Sequence, residues 1–176
     1  MSWFYYFCGM TNMVSTITIN TIYNCSLERA FKTGFLGDVS KVHTGYGLIP
    51  KVTHCTEDEN WGKPGYSKKV FGLSKLFTVP ITNKVLERIE NKYWKIEVSN
   101  FNYLMLGFSK FAGEWRTTEL ETNKILIEYT YTLHSKIVLL YPLHWLFTKI
   151  FFRKYMKNVL ENVREMIQNN EPYLYN

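Results

Sequence analysis

The stretch KILIEYTYTL, Lys124–Leu133, alternates apolar and polar residues with the period of a β-strand. Ile125, Ile127, Tyr129 and Tyr131 fall on one side, and the residues between them are mostly polar. This pattern is typical of an antiparallel sheet that is covered on one face only. Another part of the chain must therefore cover the apolar face.

A long C-terminal helix is the segment best suited to that role. No glycine or proline interrupts the chain from Leu143 to Asn169, and Pro142 suits the first turn of a helix. At 1.5 Å per residue such a helix would be roughly 40 Å long. Its second half is amphipathic, with an apolar stripe formed by Phe152, Met156, Val159, Leu160, Val163 and Ile167. The pattern predicts a single helix lying along a curved sheet.

The run Lys136–Phe152 is apolar except for four residues, Lys136, His144, Thr148 and Lys149. Such a run could enter a membrane, fill a core or line a pocket. A membrane span is disfavoured because the run is short and contains Pro142, and a lysine alone costs about 2.5–3.5 kcal/mol at the bilayer centre. We expect a core segment, and no stable membrane insertion.

Upstream of these segments, the chain predicts short helices and strands without a repeat or linker that would divide it. Thr16–Tyr23 alternates like a half-buried strand, and a helix follows over 27–35, capped by Asn24 or Ser26. A second short helix is expected from Asp38 to His43. Further strands are expected over 52–56, 66–73, 84–89, 93–99 and 114–120, with a loop or hairpin around Pro80 and a connection over 107–113. We expect an N-terminal extension over 1–13 and a single domain over 14–176.

Composition and charge narrow the class of protein. The 176 residues carry 20% charged side chains, and 13 Tyr, 12 Phe and 5 Trp raise the aromatic fraction to 17%. Such aromatic content fits either a rich core or an aromatic-lined pocket. The net charge of +6 could suggest nucleic acid, but the basic residues are dispersed among glutamates instead of forming a stripe. We therefore expect no nucleic-acid partner.

Motifs for common enzyme chemistry are missing from the sequence. The nucleophile, zinc and phosphate-binding signatures do not occur, and the four histidines lack ligand spacing, so we expect neither a metal nor a cofactor. The cysteines, Cys8, Cys25 and Cys55, are odd in number and widely spaced, which favours reduced thiols and a cytoplasmic location. Glu87, Glu114 and Arg116 could each orient a ligand or belong to a solvated outer face. Whether the protein is an enzyme stays open.

The order of these elements resembles the START-like or SRPBCC superfamily, in particular its polyketide cyclase/dehydrase and lipid-transport group. The resemblance covers Val14 to Ile167 and is carried by TITINTIYNCSLERAF (16–31), GLIPKVTHCTEDENWGKPGYSKKVFG (47–72), VLERIE (85–90), GEWRTTELETNKILIEYTY (113–131) and PLHWLFTKIFFRKYMKNVLENVREMI (142–167). It implies an α+β helix-grip fold: a curved antiparallel sheet of six or seven strands around a long C-terminal helix, with two short helices after the first strand. It also implies a cavity between sheet and helix. Members bind lipids, sterols, hormones and polyketides, and a minority are enzymes.

Strand parity and helix phase suggest which residues face that cavity. The candidates are Trp94, Ile96, Trp115, Ile127, Tyr129 and Tyr131 on the strands, and His144, Trp145, Phe152 and Met156 on the helix. Each could line a ligand site or simply fill the core, and His144 could act as a general base or hydrogen-bond donor. We expect a mostly apolar cavity of a few hundred Å³ whose walls include Trp115, Tyr129, Tyr131 and Trp145.

Three functional hypotheses follow. The preferred one is binding or transport of a small hydrophobic molecule in this cavity. The alternative is a polyketide cyclase- or dehydratase-type enzyme that uses a cavity His or Glu. The third is a protein-interaction module, which a large exposed apolar patch around Leu139 to Phe152 would favour. The oligomeric state is left open by the sequence.

Overall fold

Seven strands form one curled antiparallel sheet, and a long C-terminal helical segment packs against its inner face. The computed structural model describes residues 13–47, 49–56, 58–73, 78–100 and 107–175. The strands are β1 (Met13–Asn24), β2 (Lys51–Cys55), β3 (Ser67–Leu73), β4 (Thr78–Ile89), β5 (Tyr93–Ser99), β6 (Phe108–Glu121) and β7 (Lys124–Ser135), in the spatial order β1-β7-β6-β5-β4-β3-β2. The predicted helix-grip fold is confirmed. The expected extension 1–13 falls outside the described residues except for Met13, where β1 begins.

Two short helices follow β1, as expected. Helix α1 spans Leu27–Leu36, and its N-cap is Ser26, whose hydroxyl oxygen accepts a hydrogen bond from the Arg29 backbone N–H at 3.2 Å. Helix α2 spans Val39–Val42 and is capped in the same way by Asp38. The buried face of α1 packs its apolar residues into the core formed by the sheet and the C-terminal helix.

Two strands are longer than predicted. The expected connection 107–113 is wrong, because β6 begins at Phe108 and pairs there with β7. The expected loop or hairpin around Pro80 is also wrong for residues 78–83, which belong to β4. Within the described ranges, β4 pairs with β5 only from Thr82 onward, so the described neighbour of Pro80 is β3 alone. A strand position paired on one side tolerates a residue without an N–H.

The C-terminal segment is divided into four consecutive turns and helices. A 3₁₀ turn covers Val138–Leu140, helix α3 spans Tyr141–Phe147, a π-helical turn covers Thr148–Phe152, and helix α4 spans Arg153–Gln168. The expectation that 136–152 is a core segment is only half right, because one side of it is buried and the other is exposed. None of the helices in the described ranges is both long and apolar enough to cross a membrane.

Side chains of this segment hydrogen-bond to the free edge of β1. The Tyr141 hydroxyl donates to the carbonyl of Val14 at 2.9 Å, and Lys149 Nζ donates to that of Thr16 at 2.6 Å. One α4 residue, Arg164, does the same to the carbonyl of Ile22 at 2.9 Å. These bonds fix the position of the helical segment along the edge of the sheet.

Replacing Tyr23 with phenylalanine tests the main buried hydrogen bond between β1 and α4. The Tyr23 hydroxyl donates to the Leu160 carbonyl at 2.7 Å. Losing it should lower the free energy of unfolding by about 1 kcal/mol. Urea unfolding measures the change, with Tyr66→Phe as control because Tyr66 is exposed. Equal unfolding midpoints for the two variants would contradict a stabilising role for this bond.

Candidate functional site

The structure buries nine of the ten predicted site residues. Those nine are Trp94, Ile96, Trp115, Ile127, Tyr129, Tyr131, His144, Phe152 and Met156, and they face the space between the sheet and the C-terminal helices. The tenth, Trp145, was expected to face inward, but 48% of it is exposed. Whether the buried nine hold a ligand stays a prediction.

The π-helical turn explains the position of Trp145. A regular helix would place Trp145 on the same face as Phe152, seven residues later. The π turn inserts an extra residue between them, which rotates α3 relative to α4. As a result His144 and Thr148 point inward with Phe152, and Trp145 points out.

Aromatic rings fill one end of the interior, which we call the aromatic end. The Trp94 ring is stacked between those of Phe35 and Trp115, with centroid distances of 5.0 and 5.5 Å. Tyr129 meets both indoles edge-on. Trp115, Tyr129 and Tyr131 are almost completely buried, and the Tyr129 ring contacts the rings of the other two.

Two buried donors at the aromatic end lack acceptors. The indole N–H groups of Trp94 and Trp115 have no hydrogen-bond partner among the described residues. Burying an amide-like donor without a partner costs free energy, so native structures usually supply one. Burial of these two groups without an acceptor in the described part of the chain is a cost that the packing of the rings must offset.

Glycine at position 113 allows the rings to pack against the strands. Gly113 of β6 lies opposite Tyr131 of β7, and a Cβ atom there would be 2.8 Å from Cζ of the tyrosine ring. Any side chain at 113 would have to displace this ring. The glycine thus sets the distance at which Tyr131 lies over the sheet.

Polar side chains occupy the other end of the interior, which we call the polar end. A row of inward-facing residues crosses five neighbouring strands in register: Lys68, Asn83, Val98, Phe111 and Leu133. Lys68 and Asn83 are direct cross-strand neighbours on β3 and β4, and only 3% and 8% of their surfaces are exposed. The Asn83 side-chain oxygen has no hydrogen-bond partner among the described residues.

Lys68 is held by aromatic rings. Its Nζ atom lies 4.1 Å from the Trp61 ring centroid and 4.6 Å from that of Tyr175. The described acidic residues form their ion pairs with other cations. Burial lowers the pKa of the Lys68 amine to about 8, since desolvation disfavours the charged form.

His43 and Tyr155 form a second polar group at this end. The His43 Nδ1 and the Tyr155 hydroxyl are 2.6 Å apart. Burial and, to a lesser extent, the nearby charge of Lys68 together lower the pKa of His43 to about 4, so this imidazole is neutral near pH 7. Burial also raises the pKa of Tyr155, which therefore keeps its proton.

The C-terminal tail covers Lys68 from outside. The Leu174 backbone N–H donates to the carbonyl of Leu36 at 2.9 Å, which holds the tail against the end of α1. The Tyr175 hydroxyl lies 3.0 Å from Cys55 Sγ on β2, and its ring contacts Lys68. Residues after α4 thus form part of the wall of the polar end.

His144 is buried inside the domain, as expected for a residue predicted to face the cavity. Its Nδ1 is 2.8 Å from the Ser135 hydroxyl, and its ring stacks on Phe108 with a centroid distance of 4.0 Å. These contacts position the ring between β6 and α3. They are contacts expected of a packed core histidine, and they leave its suggested role as a base untested.

The polar candidates Glu87, Glu114 and Arg116 lie on the outer face of the sheet. Glu87 and Arg116 line an open groove of about 520 Å³ beside Tyr93. The Tyr93 hydroxyl donates to Glu114 Oε2 at 3.0 Å, and the Arg116 guanidinium lies over its ring at 4.4 Å. In the described part of the chain, no group of three or more His, Cys, Asp or Glu residues could hold a metal ion.

Sequence reasoning missed the four residues that distinguish the polar end, namely His43, Lys68, Asn83 and Tyr155. One signal was present for Lys68, because it alternates with the buried residues Val70 and Gly72 on β3. A second was present for Tyr155, which lies three and four residues from apolar positions of the helical stripe. A charged residue in a strand is ordinarily assigned to the solvent face, which hid Lys68.

Comparisons with known proteins were informative for the fold. No protein-family model matches the chain, and a search of curated proteins finds no match. Among solved structures, Ara h 8.0201 superposes with a TM-score of 0.67 at 16% identity, over 89% of this chain and 99% of that one. Norcoclaurine synthase from Thalictrum flavum, in complex with dopamine and hydroxybenzaldehyde, gives 0.63 at 12% identity, over 93% and 94%.

A third similar structure is the di-domain ARO/CYC protein StfQ from the steffimycin biosynthetic pathway. It gives a TM-score of 0.66 at 8% identity, over 89% of this chain and 52% of that one. These neighbours are START-like helix-grip proteins, so the resemblance predicted from the sequence is confirmed for the fold. At such low identity the similarity shows the fold alone.

Replacing Lys68 with methionine tests the protonation of the buried amine. Between pH 8 and the value of about 10.4 for an unfolded lysine, the folded wild type binds fewer protons than its unfolded chain. The free energy of unfolding of the wild type should therefore rise with pH relative to Lys68→Met. Urea unfolding at several pH values across that range measures the difference.

Lys69→Met is the matched control, because Lys69 is the next residue of β3 and is exposed. The difference in free energy of unfolding between the wild type and Lys69→Met should not change with pH as it does for Lys68→Met. A constant difference between wild type and Lys68→Met from neutral to alkaline pH would show that the amine is not desolvated.

Proposed function

Because the chain has the helix-grip fold of START-like proteins, we propose that it binds a small amphipathic molecule between the sheet and the C-terminal helix. The observation that carries the proposal is the pair Lys68 and Asn83. Both side chains are buried on the inner face of the sheet. Among the described residues, the amine contacts the Trp61 and Tyr175 rings, and the amide oxygen has no hydrogen-bond partner. Burying such polar groups costs free energy, which the polar atoms of a ligand would offset.

The chemistry of the polar end favours a ligand with an oxygen-bearing head group. A carboxylate or carbonyl oxygen would accept hydrogen bonds from Lys68 Nζ, whose contacts with the described residues are cation–π contacts. A hydroxyl on the same ligand would satisfy the Asn83 oxygen. Partial exposure of Val98 and His43 marks this end as the less tightly packed part of the interior.

The apolar body of such a ligand would lie toward the aromatic end. Ile96, Tyr131 and Phe152 separate the polar row from the stacked indoles. To reach Trp94 and Trp115, a ligand would have to displace rings that now touch each other. A short apolar body accommodated by shifts of Tyr131 and Phe152 fits this arrangement best, since side chains commonly change rotamer on binding.

Known neighbours support binding of small molecules without identifying one. Norcoclaurine synthase holds dopamine and hydroxybenzaldehyde in its structure, and StfQ is an ARO/CYC protein. The cyclase- or dehydratase-type alternative therefore stays a hypothesis for this chain. Of the groups originally suggested for it, His144 is inside the domain, while Glu87 and Glu114 face outward.

A protein-interaction role is the second candidate, and one observation favours it. A large exposed apolar patch around Leu139 to Phe152 would favour such a role, and exposed apolar side chains are present there. This patch lies on the outer side of the helical segment. It is therefore independent of ligand binding in the interior.

Titration with a fluorescent fatty acid and with its methyl ester tests the proposed ligand class. We expect the acid to bind and to quench tryptophan emission, and Lys68→Met to weaken its binding by about tenfold or more. Lys68→Met should weaken binding of the ester less than binding of the acid, because the ester carbonyl can accept a hydrogen bond but carries no charge for Lys68 to pair with. Lys69→Met should behave as the wild type.

Native mass spectrometry of the protein purified from its own host complements the titration. A co-purifying small molecule would support a carrier and identify its ligand. If neither acid nor ester binds the folded protein, and only the unliganded mass is observed, the interior does not serve as a ligand site. Equal loss of acid binding in Lys68→Met and Lys69→Met would remove Lys68 from the site.

A further inference from the structure

Exposed apolar residues are concentrated on one segment of the fold. Among the described residues, fourteen large hydrophobic side chains are exposed, and eight of them belong to a single stretch of fifteen residues: Ile137, Val138, Leu139, Leu143, Trp145, Leu146, Ile150 and Phe151. The other six are scattered over β1, β4, β6, the loop before β3 and the C-terminal tail. Single exposed apolar residues are ordinary, but a contiguous group marks an interaction surface.

Helix geometry explains how these side chains share one face. The inward side of the segment is occupied by His144, Thr148 and Phe152. Leu143, Leu146 and Ile150 follow at spacings of three and four and therefore lie side by side on the opposite face. The 3₁₀ turn that precedes α3 buries none of its residues, and Leu139 within it is 87% exposed.

The charges around this face are all positive. Between Glu128 and Glu161 the sequence has no acidic residue and five basic ones, Lys136, Lys149, Arg153, Lys154 and Lys157. None of the five forms an ion pair with an acidic residue of the described ranges. Lys149 is engaged with the edge of β1, whereas the other four are exposed.

From these observations we propose that the outer face of 136–157 docks onto an anionic lipid bilayer. The exposed aliphatic and aromatic side chains would enter the headgroup region, and the four exposed basic residues would lie against lipid phosphates. A one-sided apolar face bordered by Lys and Arg is the arrangement that binds in the plane of a membrane interface. Charge complementarity favours this surface over a second copy of the chain, whose identical face carries the same positive charge.

Docking would be peripheral and does not depend on an occupied interior. The opposite side of the segment is part of the protein core, so insertion deeper than the exposed side chains would expose that core. The net charge of +6 adds long-range attraction to an anionic surface. Attraction of this kind is screened by salt, which gives a direct test.

Co-sedimentation of the full chain with vesicles tests the proposal. We expect binding to vesicles of phosphatidylcholine with phosphatidylserine, little binding to phosphatidylcholine alone, and a loss of about tenfold between low and high salt. Leu139→Ser with Leu143→Ser, and separately Arg153→Glu with Lys154→Glu, should each weaken binding by about tenfold or more. All four residues are exposed, so the variants should fold normally.

Matched controls lie elsewhere on the surface. Ile22→Ser with Leu120→Ser removes two exposed apolar side chains, and Lys51→Glu with Lys84→Glu changes the net charge by the same amount as the charge variant. Both control pairs should weaken vesicle binding much less than the docking variants, the charge pair only through its effect on the net charge. Trp145 provides a depth readout, because bromine on the lipid chains should quench emission of the wild type more than that of Trp145→Phe.

Several results would overturn the proposal. Absence of binding to anionic vesicles, or equal effects of the docking and control variants, would contradict membrane docking. So would a concentration-dependent dimer of the wild type that is lost in Leu139→Ser with Leu143→Ser, if no vesicle binding is observed. The last would assign the face to self-association. Both docking variants should keep the affinity of the wild type for the fluorescent fatty acid. Vesicle binding therefore tests the docking surface, and fatty-acid binding tests the proposed ligand site, independently of each other.

Discussion

The stack of Phe35, Trp94 and Trp115 joins α1, β5 and β6 at one end of the sheet, and the remaining packing is arranged around it. Aromatic pairs of this kind are worth about 0.5–1.5 kcal/mol beyond the area they bury. Because these rings are large and nearly fully buried, they close that end of the interior. The other end of the interior holds the buried polar side chains of Lys68 and Asn83.

The strand residues that face the interior could be predicted from the sequence. Side chains alternate strictly in a strand, so identifying Ile127 as inward fixed Tyr129 and Tyr131 as well. The same rule placed Trp94 and Trp115 correctly. The helix was less predictable, since a single extra residue in the π turn changed which of His144 and Trp145 faces the core.

The burial of polar residues in the interior could not be predicted from alternation, for a physical reason. Burying a lysine is costly unless neighbours compensate, so a sequence pattern assigns it to solvent. The compensation for Lys68 comes from Trp61, in the loop before β3, and from Tyr175 in the C-terminal tail, and the alternation of β3 shows neither contact. The extent of β6 was missed similarly, because glycines at 107 and 113 indicated a connection, whereas Gly113 serves close packing of Tyr131.

One helical segment contributes to both faces of the protein. His144 and Phe152 are part of the core, while their neighbours along the chain, Leu143 and Phe151, are exposed. The π turn joins α3 to α4 and thereby sets which residues of α3 face the core and which face outward.

The contacts of Tyr141, Lys149 and Arg164 with β1 also decide how the sheet can meet other chains. An edge strand with free carbonyls can recruit a further strand from another molecule, which leads to strand exchange or aggregation. Here three outward carbonyls of that edge already accept side-chain hydrogen bonds. The opposite edge, β2, has five residues with an irregular register between Val52 and His54, which is also a poor template. Continuation of the sheet into a neighbouring molecule is therefore disfavoured at both of its ends.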